Sequence, residues 1–214
     1  MERPKALLVA IEGVDAVGKR TQSSLLTAWL RSRNITSNLI SFPDYGTVIG
    51  REIKSYLHGD RSYSSEVGHM LYAVNRWEKK GELERLLGSS DVVVVNRYSP
   101  SNFAYGTARG LRLSWLMCLE EGLPKADLVL VLDAAPSALT TRRGPGKDNY
   151  ERNIPYQERV RHAYLQLSRE LGWTTVNAAQ GIQSTSQLIS VAVAEALAAR
   201  GRAVEGTPGG PKTP

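Results

Sequence analysis

The sequence predicts an α/β protein in which a parallel β-sheet carries helices on both faces. Two observations lead to this prediction: strand-length apolar runs recur along the chain, and helical patterns separate them. Strands of a parallel sheet are buried on both faces, so they read as nearly continuous apolar runs rather than as alternating ones. The chain has 214 residues, which is long enough to bury a core of its own, and we expect a single domain over residues 1–205.

Each element has its own signal. The first strand leads into a segment in which Leu25, Leu26, Trp29 and Leu30 recur at helical spacing, and residues 92–95 are all valine, which favours a buried strand. We expect strands at residues 6–11, 37–42, 91–95, 128–132 and 174–177. Further helices are predicted at residues 47–58, 65–88, 113–121, 155–171 and 184–200.

Two segments depart from this alternation. A basic stretch with glycine and proline over about residues 140–151 is long for a connection inside a domain, and we expect a lid loop there, with a floppy surface loop as the alternative. Residues 206–214 consist mainly of glycine and proline and offer nothing to bury, so a disordered tail is expected.

Composition narrows the class of protein. Lysine plus arginine number 27 and aspartate plus glutamate 21, a formal charge of +6, which suits an anionic ligand such as a nucleotide but also an ordinary basic surface. The single cysteine, Cys118, excludes an internal disulfide and is expected to be a small core residue. Since no signal peptide and no apolar run of about 18 residues is evident, we expect a cytoplasmic protein.

A phosphate-binding loop is predicted directly after the first strand. Gly-x4-Gly-Lys lies between that strand and the first helix, so backbone N–H groups and the positive end of the helix dipole can converge on a phosphate, with Lys19 adding a charge. The residues expected to contact ATP are Gly13, Val14, Asp15, Ala16, Val17, Gly18, Lys19, Arg20 and Thr21.

The residue after the loop lysine is unusual. This type of loop has serine or threonine there as a Mg²⁺ ligand, but the chain has Arg20, which offers only donors. Thr21 is rotated by about 100° on the helix and cannot take over the same ligand position. Either Mg²⁺ is held by phosphates, water and other groups, or Arg20 itself neutralises phosphate charge; the metal ligands stay undefined.

A wider set of segments resembles the thymidylate kinase family. In chain order they are Glu12-Gly13-Val14-Asp15, Gly18-Lys19, Thr21-Gln22, Phe42-Pro43, Asn75-Arg76-Trp77-Glu78, Arg97-Tyr98 and Tyr150-Glu151. The resemblance runs from residue 6 to about residue 195. It implies a five-stranded parallel sheet of the P-loop NTPase type, Mg²⁺ dependence, usually a homodimer, and transfer of the ATP γ-phosphoryl group to dTMP, giving ADP and dTDP.

The resemblance also implies an acceptor site, and the residues fit it. Tyr72 and Arg76 are i,i+4 on one helix, so a ring can stack on the base while the guanidinium donates to a carbonyl that thymine has and cytosine lacks. Arg97 suits bidentate binding of the acceptor phosphate. The dTMP contacts expected are Asp15 (the 3′-hydroxyl), Phe42 and Pro43 (the wall beside the base), Tyr72, Arg76, Arg97, Tyr105 and Tyr150.

The predicted catalytic residues are cationic. Lys19 and Arg97 act on the phosphates, and Arg142 or Arg143 of the lid stabilises the transferring phosphoryl group, an effect worth about 10³ or more in rate. This resembles the branch of the family that has no arginine inside the loop, where the chain has Ala16.

Two further departures leave alternatives open. Asn96 stands where the family usually has an aspartate, and Tyr45 stands where many relatives have an arginine on the acceptor phosphate. We therefore keep two alternatives to a dTMP kinase: a nucleoside monophosphate kinase of broader acceptor range, and a catalytically weak nucleotide-binding protein. Charge alone supports nucleic-acid binding, and no motif accompanies it.

Overall fold

The computed structural model describes residues 6–142, 153–202 and 204. Its strands are β1 (Leu7–Gly13), β2 (Ser37–Ser41), β3 (Val92–Asn96), β4 (Leu128–Asp133) and β5 (Thr174–Asn177). They form one parallel sheet in the order β2-β3-β1-β4-β5. The predicted α/β fold with a five-stranded parallel sheet is confirmed.

Eight α-helices lie in the described part of the chain and surround the sheet. They are α1 (Lys19–Arg31), α2 (Val48–His58), α3 (Ser65–Glu78), α4 (Lys80–Ser89), α5 (Ser99–Thr107), α6 (Leu113–Leu119), α7 (Ile154–Leu171) and α8 (Ile182–Ala198). A 3₁₀ helix at Pro136–Arg142 overlaps the start of the predicted lid. No helix in these residues is long and apolar enough to cross a membrane.

The central strands form the core because both of their faces are covered. The β3 residues 92–95 have no measurable exposure, and β1 is buried along its whole length. The register places Ile11 of β1 beside Asn96 of β3, which in turn lies beside Ser41 of β2. The carboxyl ends of these strands therefore meet at one edge, where open parallel sheets bind ligands.

The prediction of one helix over residues 65–88 is wrong, because Lys79 separates α3 from α4. Its backbone, at φ −98° and ψ 3°, leaves the helical region. The Lys79 ammonium lies 2.9 Å from a carboxylate oxygen of Asp44 and also pairs with Glu82. Asp44 follows β2 and lies far from Lys79 in the chain, so periodicity does not reveal this break.

Cys118 was expected in the core and is exposed instead. The short helix α6 buries Leu116, and Glu120 directly after it is also buried. Residues four apart share a helix face, whereas Cys118 lies between them on the opposite face. The predicted lid beyond Arg142 and the predicted tail after residue 205 lie outside the described residues, so both stay predictions.

Candidate active site

The loop between β1 and α1 has the backbone that phosphate binding requires. Gly13 has φ +130°, and a Cβ there would lie 2.4 Å from the Leu132 carbonyl oxygen, so only glycine fits between β1 and β4. Gly18, at φ +106°, directly precedes α1, and Ala16 also has a positive φ of 63°. The loop thus curls back over the N-terminus of α1, where free N–H groups and the helix dipole favour an anion.

Lys19 is held by the same loop. Its Nζ donates to the carbonyl oxygens of Gly13 at 3.0 Å and Val14 at 2.7 Å, and the side chain is buried. The ammonium therefore lies against the loop, where it can contact an outer phosphate of a nucleotide bound there. Arg20 and Thr21 are both exposed on the first turn of α1.

Below the loop, the carboxylate of Glu12 connects three elements. It accepts hydrogen bonds from the Tyr98 backbone N–H at 2.6 Å, the Ser101 hydroxyl at 2.6 Å and the Tyr164 hydroxyl at 2.9 Å. Complete burial raises the pKa of Glu12, and these donors, together with the charge of Arg97, partly oppose that effect. Glu12 thus ties the start of the phosphate loop to the turn that carries Arg97.

An ion pair joins the loop to the end of β3. Arg97 has a left-handed backbone, at φ 63°, and its Nη2 pairs with Asp15 of the loop. Asp15 also accepts from the Tyr105 hydroxyl at 3.0 Å and from Gln157 Nε2 at 2.8 Å. Burial alone would raise the pKa of Asp15, but the charges of Arg97 and Lys19 and these hydrogen bonds outweigh it, so the pKa falls below its usual value.

A cleft opens beside this pair at the carboxyl edge of the sheet. All the described residues that were predicted to contact dTMP line it: Asp15, Phe42, Pro43, Tyr72, Arg76, Arg97 and Tyr105. The lining thus combines the guanidinium groups of Arg76, Arg97 and Arg109 with the rings of Phe42 and Tyr72. This shape and charge suit a ligand with a phosphate at one end and a flat ring at the other.

Sequence reasoning missed several lining residues, three of which carry rings or charge toward the site. His69 packs against the Tyr72 ring, with centroids 6.2 Å apart, and Arg109 lies over the Tyr156 ring at 5.1 Å. All three of His69, Arg109 and Tyr156 line the cleft. His69 and Arg109 could have been found from helical spacing, since they lie one turn from Tyr72 and Tyr105, respectively.

Three predicted site residues, Arg142, Arg143 and Tyr150, have no described side chain. Arg143 and Tyr150 lie outside the described residues, and for Arg142 only the backbone is described. Their predicted roles near the transferring phosphoryl group and near the acceptor nucleotide stay predictions.

The residues at this edge fit a metal ion that arrives with a nucleotide, and they do not build a metal site of their own. Asn96 Oδ1 is buried without a hydrogen-bond partner, so one neutral oxygen at the end of β3 keeps an unused acceptor position. The nearby carboxylate of Asp15 is engaged by Arg97, and Arg20 offers no acceptor. Residues 6–142 and 153–202 contain no cluster of three or more acidic, histidine or cysteine side chains suited to an ion.

A buried polar network extends from the wall of the cleft into the protein. Arg76 Nε donates to Glu120 Oε2 at 2.8 Å, and Asn102 Nδ2 donates to Glu120 Oε1 at 2.9 Å. Asn102 Oδ1 lies 2.6 Å from Nδ1 of His69. Burial, together with the charges of Arg109 and Arg76, lowers the pKa of His69 to about 4, although the hydrogen bond with Asn102 and the charge of Glu120 oppose the shift. His69 is therefore neutral at physiological pH.

We expect His69 to make the fold sensitive to mild acid. An unfolded histidine binds a proton near pH 6.5, whereas folded His69 resists protonation until about pH 4. The unfolded state then binds more protons between these values, so stability falls as the pH falls, by about 2 kcal/mol between pH 7.5 and pH 5. Glu12 has the opposite effect on stability, because its pKa is raised in the folded state. Folded Glu12 binds a proton more readily than unfolded Glu12, so its contribution to stability rises as the pH falls.

Urea unfolding of wild type and His69→Asn at several pH values isolates the contribution of His69, because Glu12 is common to both proteins. The difference in unfolding free energy between the two should shrink as the pH drops from 7.5 to 5. His58→Asn, which changes an exposed histidine, is the matched control and should leave the pH dependence unaltered. Parallel curves for wild type and His69→Asn would contradict the assignment of a neutral His69.

Together, the sheet order, the loop after β1 and the facing cleft define a P-loop nucleotide kinase fold. A family model described as "Thymidylate kinase" matches residues 11–189. The chain belongs to the thymidylate kinase family.

Similar proteins agree with this placement over most of the chain. Thymidylate kinase of Arabidopsis thaliana is 33% identical over 191 residues, which cover 89% of this chain and 72% of that protein. Thymidylate kinase of Homo sapiens is 32% identical over 200 residues, covering 92% and 94%. A solved structure of thymidylate kinase from Candida albicans, at 27% identity, superposes with a TM-score of 0.77 over 92% of this chain and 93% of its own.

Proposed function

We propose that the protein phosphorylates dTMP to dTDP with ATP as donor. The observation that carries the proposal is the ion pair between Asp15 of the phosphate loop and Arg97 of the cleft. The pair joins the loop proposed to bind the donor phosphates to the cleft proposed to bind a phosphorylated pyrimidine, at one edge of the sheet. In-line phosphoryl transfer needs this arrangement, since catalysis depends on positioning and on charge stabilisation rather than on a protein nucleophile.

Each end of the cleft has a distinct role in this proposal. Lys19 neutralises charge on the outer phosphates of ATP, and Arg97 binds the acceptor phosphate while Asp15 accepts from the sugar hydroxyl. Tyr72 stacks on the base, and Arg76 donates to its 4-carbonyl. Mg²⁺ arriving with the nucleotide would supply further charge neutralisation on the phosphates, and Asn96 is the neutral residue at this edge that would help to hold it through water.

The test is ADP release measured with a panel of nucleoside monophosphates as acceptors. We expect the highest kcat/KM with dTMP. A second candidate, a kinase of broader acceptor range, is favoured by Tyr45, which lines the cleft with 44% of its surface exposed; comparable kcat/KM for dTMP and dUMP would support it. ATP binding without turnover of any acceptor would refute both and leave a nucleotide-binding protein.

Arg20 should reduce the dependence on Mg²⁺ if its guanidinium neutralises phosphate charge. Arg20→Ser is then expected to weaken binding of metal-free ATP about tenfold or more, because one charge-assisted hydrogen bond is lost. Binding of MgATP should change less or improve. Isothermal titration calorimetry with and without Mg²⁺ measures both affinities.

Arg20→Lys is the matched control for this measurement, since it keeps the charge. It should retain most of the affinity for metal-free ATP. If Arg20→Ser binds metal-free ATP as wild type does, Arg20 has no part in compensating for the ion.

We further propose a homodimer that forms through α3 and acts in the cytoplasm. Val67, Met70, Val74 and Trp77 lie on one face of α3 and are each between 38% and 43% exposed, an apolar stripe of the kind that marks an interface. The exposed free thiol of Cys118 is compatible with a reducing compartment. Sedimentation equilibrium of the purified protein tests the dimer directly.

A further inference from the structure

A buried carboxylate that does not itself line the cleft holds the Arg76 guanidinium. Glu120, directly after α6, accepts from Arg76 Nε at 2.8 Å through Oε2, and its Oε1 pairs with Arg76 Nη2. The two side chains are 3% and 5% exposed. The carboxylate therefore occupies two of the three guanidinium nitrogens from the side away from the cleft, which Arg76 lines and Glu120 does not.

A second donor fixes the carboxylate itself. Asn102 Nδ2 donates to Glu120 Oε1 at 2.9 Å and to the His69 carbonyl at 3.3 Å, so its Oδ1 is left to accept from His69 Nδ1. The Trp77 indole N–H also donates to the Leu119 carbonyl at 3.0 Å, which anchors the chain next to Glu120. Both oxygens of the Glu120 carboxylate thus have defined donors. Each hydrogen bond of the network joins one donor to one acceptor without conflict.

Stability alone does not account for this arrangement. A buried ion pair stabilises a fold little or not at all relative to well-packed apolar residues of the same volume. A guanidinium is planar, however, so a carboxylate that binds Nε and Nη2 also fixes the direction of Nη1. The pair is explained if Arg76 must present Nη1 to the cleft as a donor of fixed direction.

We propose that Glu120 is a positioning residue that sets which pyrimidine the cleft accepts. It acts through Arg76, whose Nη1 meets a 4-carbonyl as a donor, whereas a 4-amino group would bring two donors face to face. This inference rests on the proposed function of the cleft and adds to it a specificity determinant outside the ligand's contact surface.

Glu120→Gln tests the proposal, because it preserves volume and replaces one carboxylate oxygen with an amide donor that Arg76 cannot use. We expect the ratio of kcat/KM for dTMP over dCMP to fall about tenfold, the effect of one misdirected hydrogen bond. The fall should come mainly from a higher KM for dTMP, with kcat nearly unchanged. Glu121→Gln, which alters the exposed neighbouring residue, should leave the ratio at its wild-type value.

The combined variant Arg76→Met with Glu120→Gln avoids an unpaired buried charge and keeps the proposal testable if Glu120→Gln folds poorly. Once Arg76 is replaced, the dTMP to dCMP ratio should be low, and adding Glu120→Gln should not change it further. A Glu120→Gln variant that loses activity equally on both acceptors, or a further change of the ratio in the Arg76→Met background, would overturn the proposal. Failure of the wild-type protein to phosphorylate dTMP would instead refute the proposed function.

Discussion

Replacing Lys19 with methionine should lower kcat about a hundred- to a thousandfold, the loss typical when one preorganised group that stabilises developing charge is removed. The unfolding free energy should change little, because relief of the cost of burying the ammonium offsets the lost hydrogen bonds and the lost attraction to Asp15. Lys19 is buried with its ammonium on two loop carbonyls at 3.0 and 2.7 Å. Methionine has a similar length and removes the cost of burying that charge. A large loss of activity without loss of stability would separate catalysis from folding.

The experiment compares steady-state kinetics and urea unfolding for the same preparations. Lys125→Met is the matched control, since Lys125 is exposed and lies just before β4, at the edge of the sheet opposite the loop. It should leave kcat and stability at wild-type values. A Lys19→Met protein with kcat within a few-fold of wild type would remove the lysine from the phosphate chemistry and leave the loop as a binding element only.

The sheet could be predicted closely because burial on both faces leaves a simple signal. The predicted strand over residues 174–177 coincides with β5, and the predicted start of β2 is correct. The errors have a different cause. The helix break at Lys79 depends on Asp44, and the exposure of Cys118 depends on which face of α6 meets the core; neither contact is local in sequence.

The same distinction holds for the site. Sequence spacing brought Tyr72 and Arg76 to one face and placed Arg97 at the end of β3, and the structure puts all three in the cleft. Their partners could not be predicted. Arg76 pairs with Glu120, 44 residues away, and Arg97 pairs with Asp15, 82 residues away. Such pairs form where distant elements meet, so a single sequence identifies the chemical groups at a sheet edge but not the charges that orient them.

Arg97→Gln should damage both stability and catalysis, for separable reasons. It leaves the buried carboxylate of Asp15 without its direct ion pair, a change that typically costs about 3 kcal/mol or more. It also removes the cation proposed to bind the acceptor phosphate, so kcat/KM for dTMP should fall about a hundred- to a thousandfold. Arginine and glutamine both have a Cβ and both disfavour the left-handed backbone at this position, φ 63°. The substitution therefore does not change the backbone strain, and the difference in unfolding free energy reflects the lost charge.

The double variant Asp15→Asn with Arg97→Gln separates the two effects. Neutralising Asp15 removes the unpaired charge, so most of the lost unfolding free energy should return while kcat/KM stays low, because the phosphate-binding cation is still missing. Arg85→Gln, on the exposed surface of α4, controls for the loss of a positive charge in general and should alter neither quantity. If Arg97→Gln destabilises the protein equally with aspartate or asparagine at position 15, the ion pair is not what links the phosphate loop to the acceptor cleft. Recovery of stability without recovery of activity would show that one arginine holds the two sites together and also takes part in the chemistry between them.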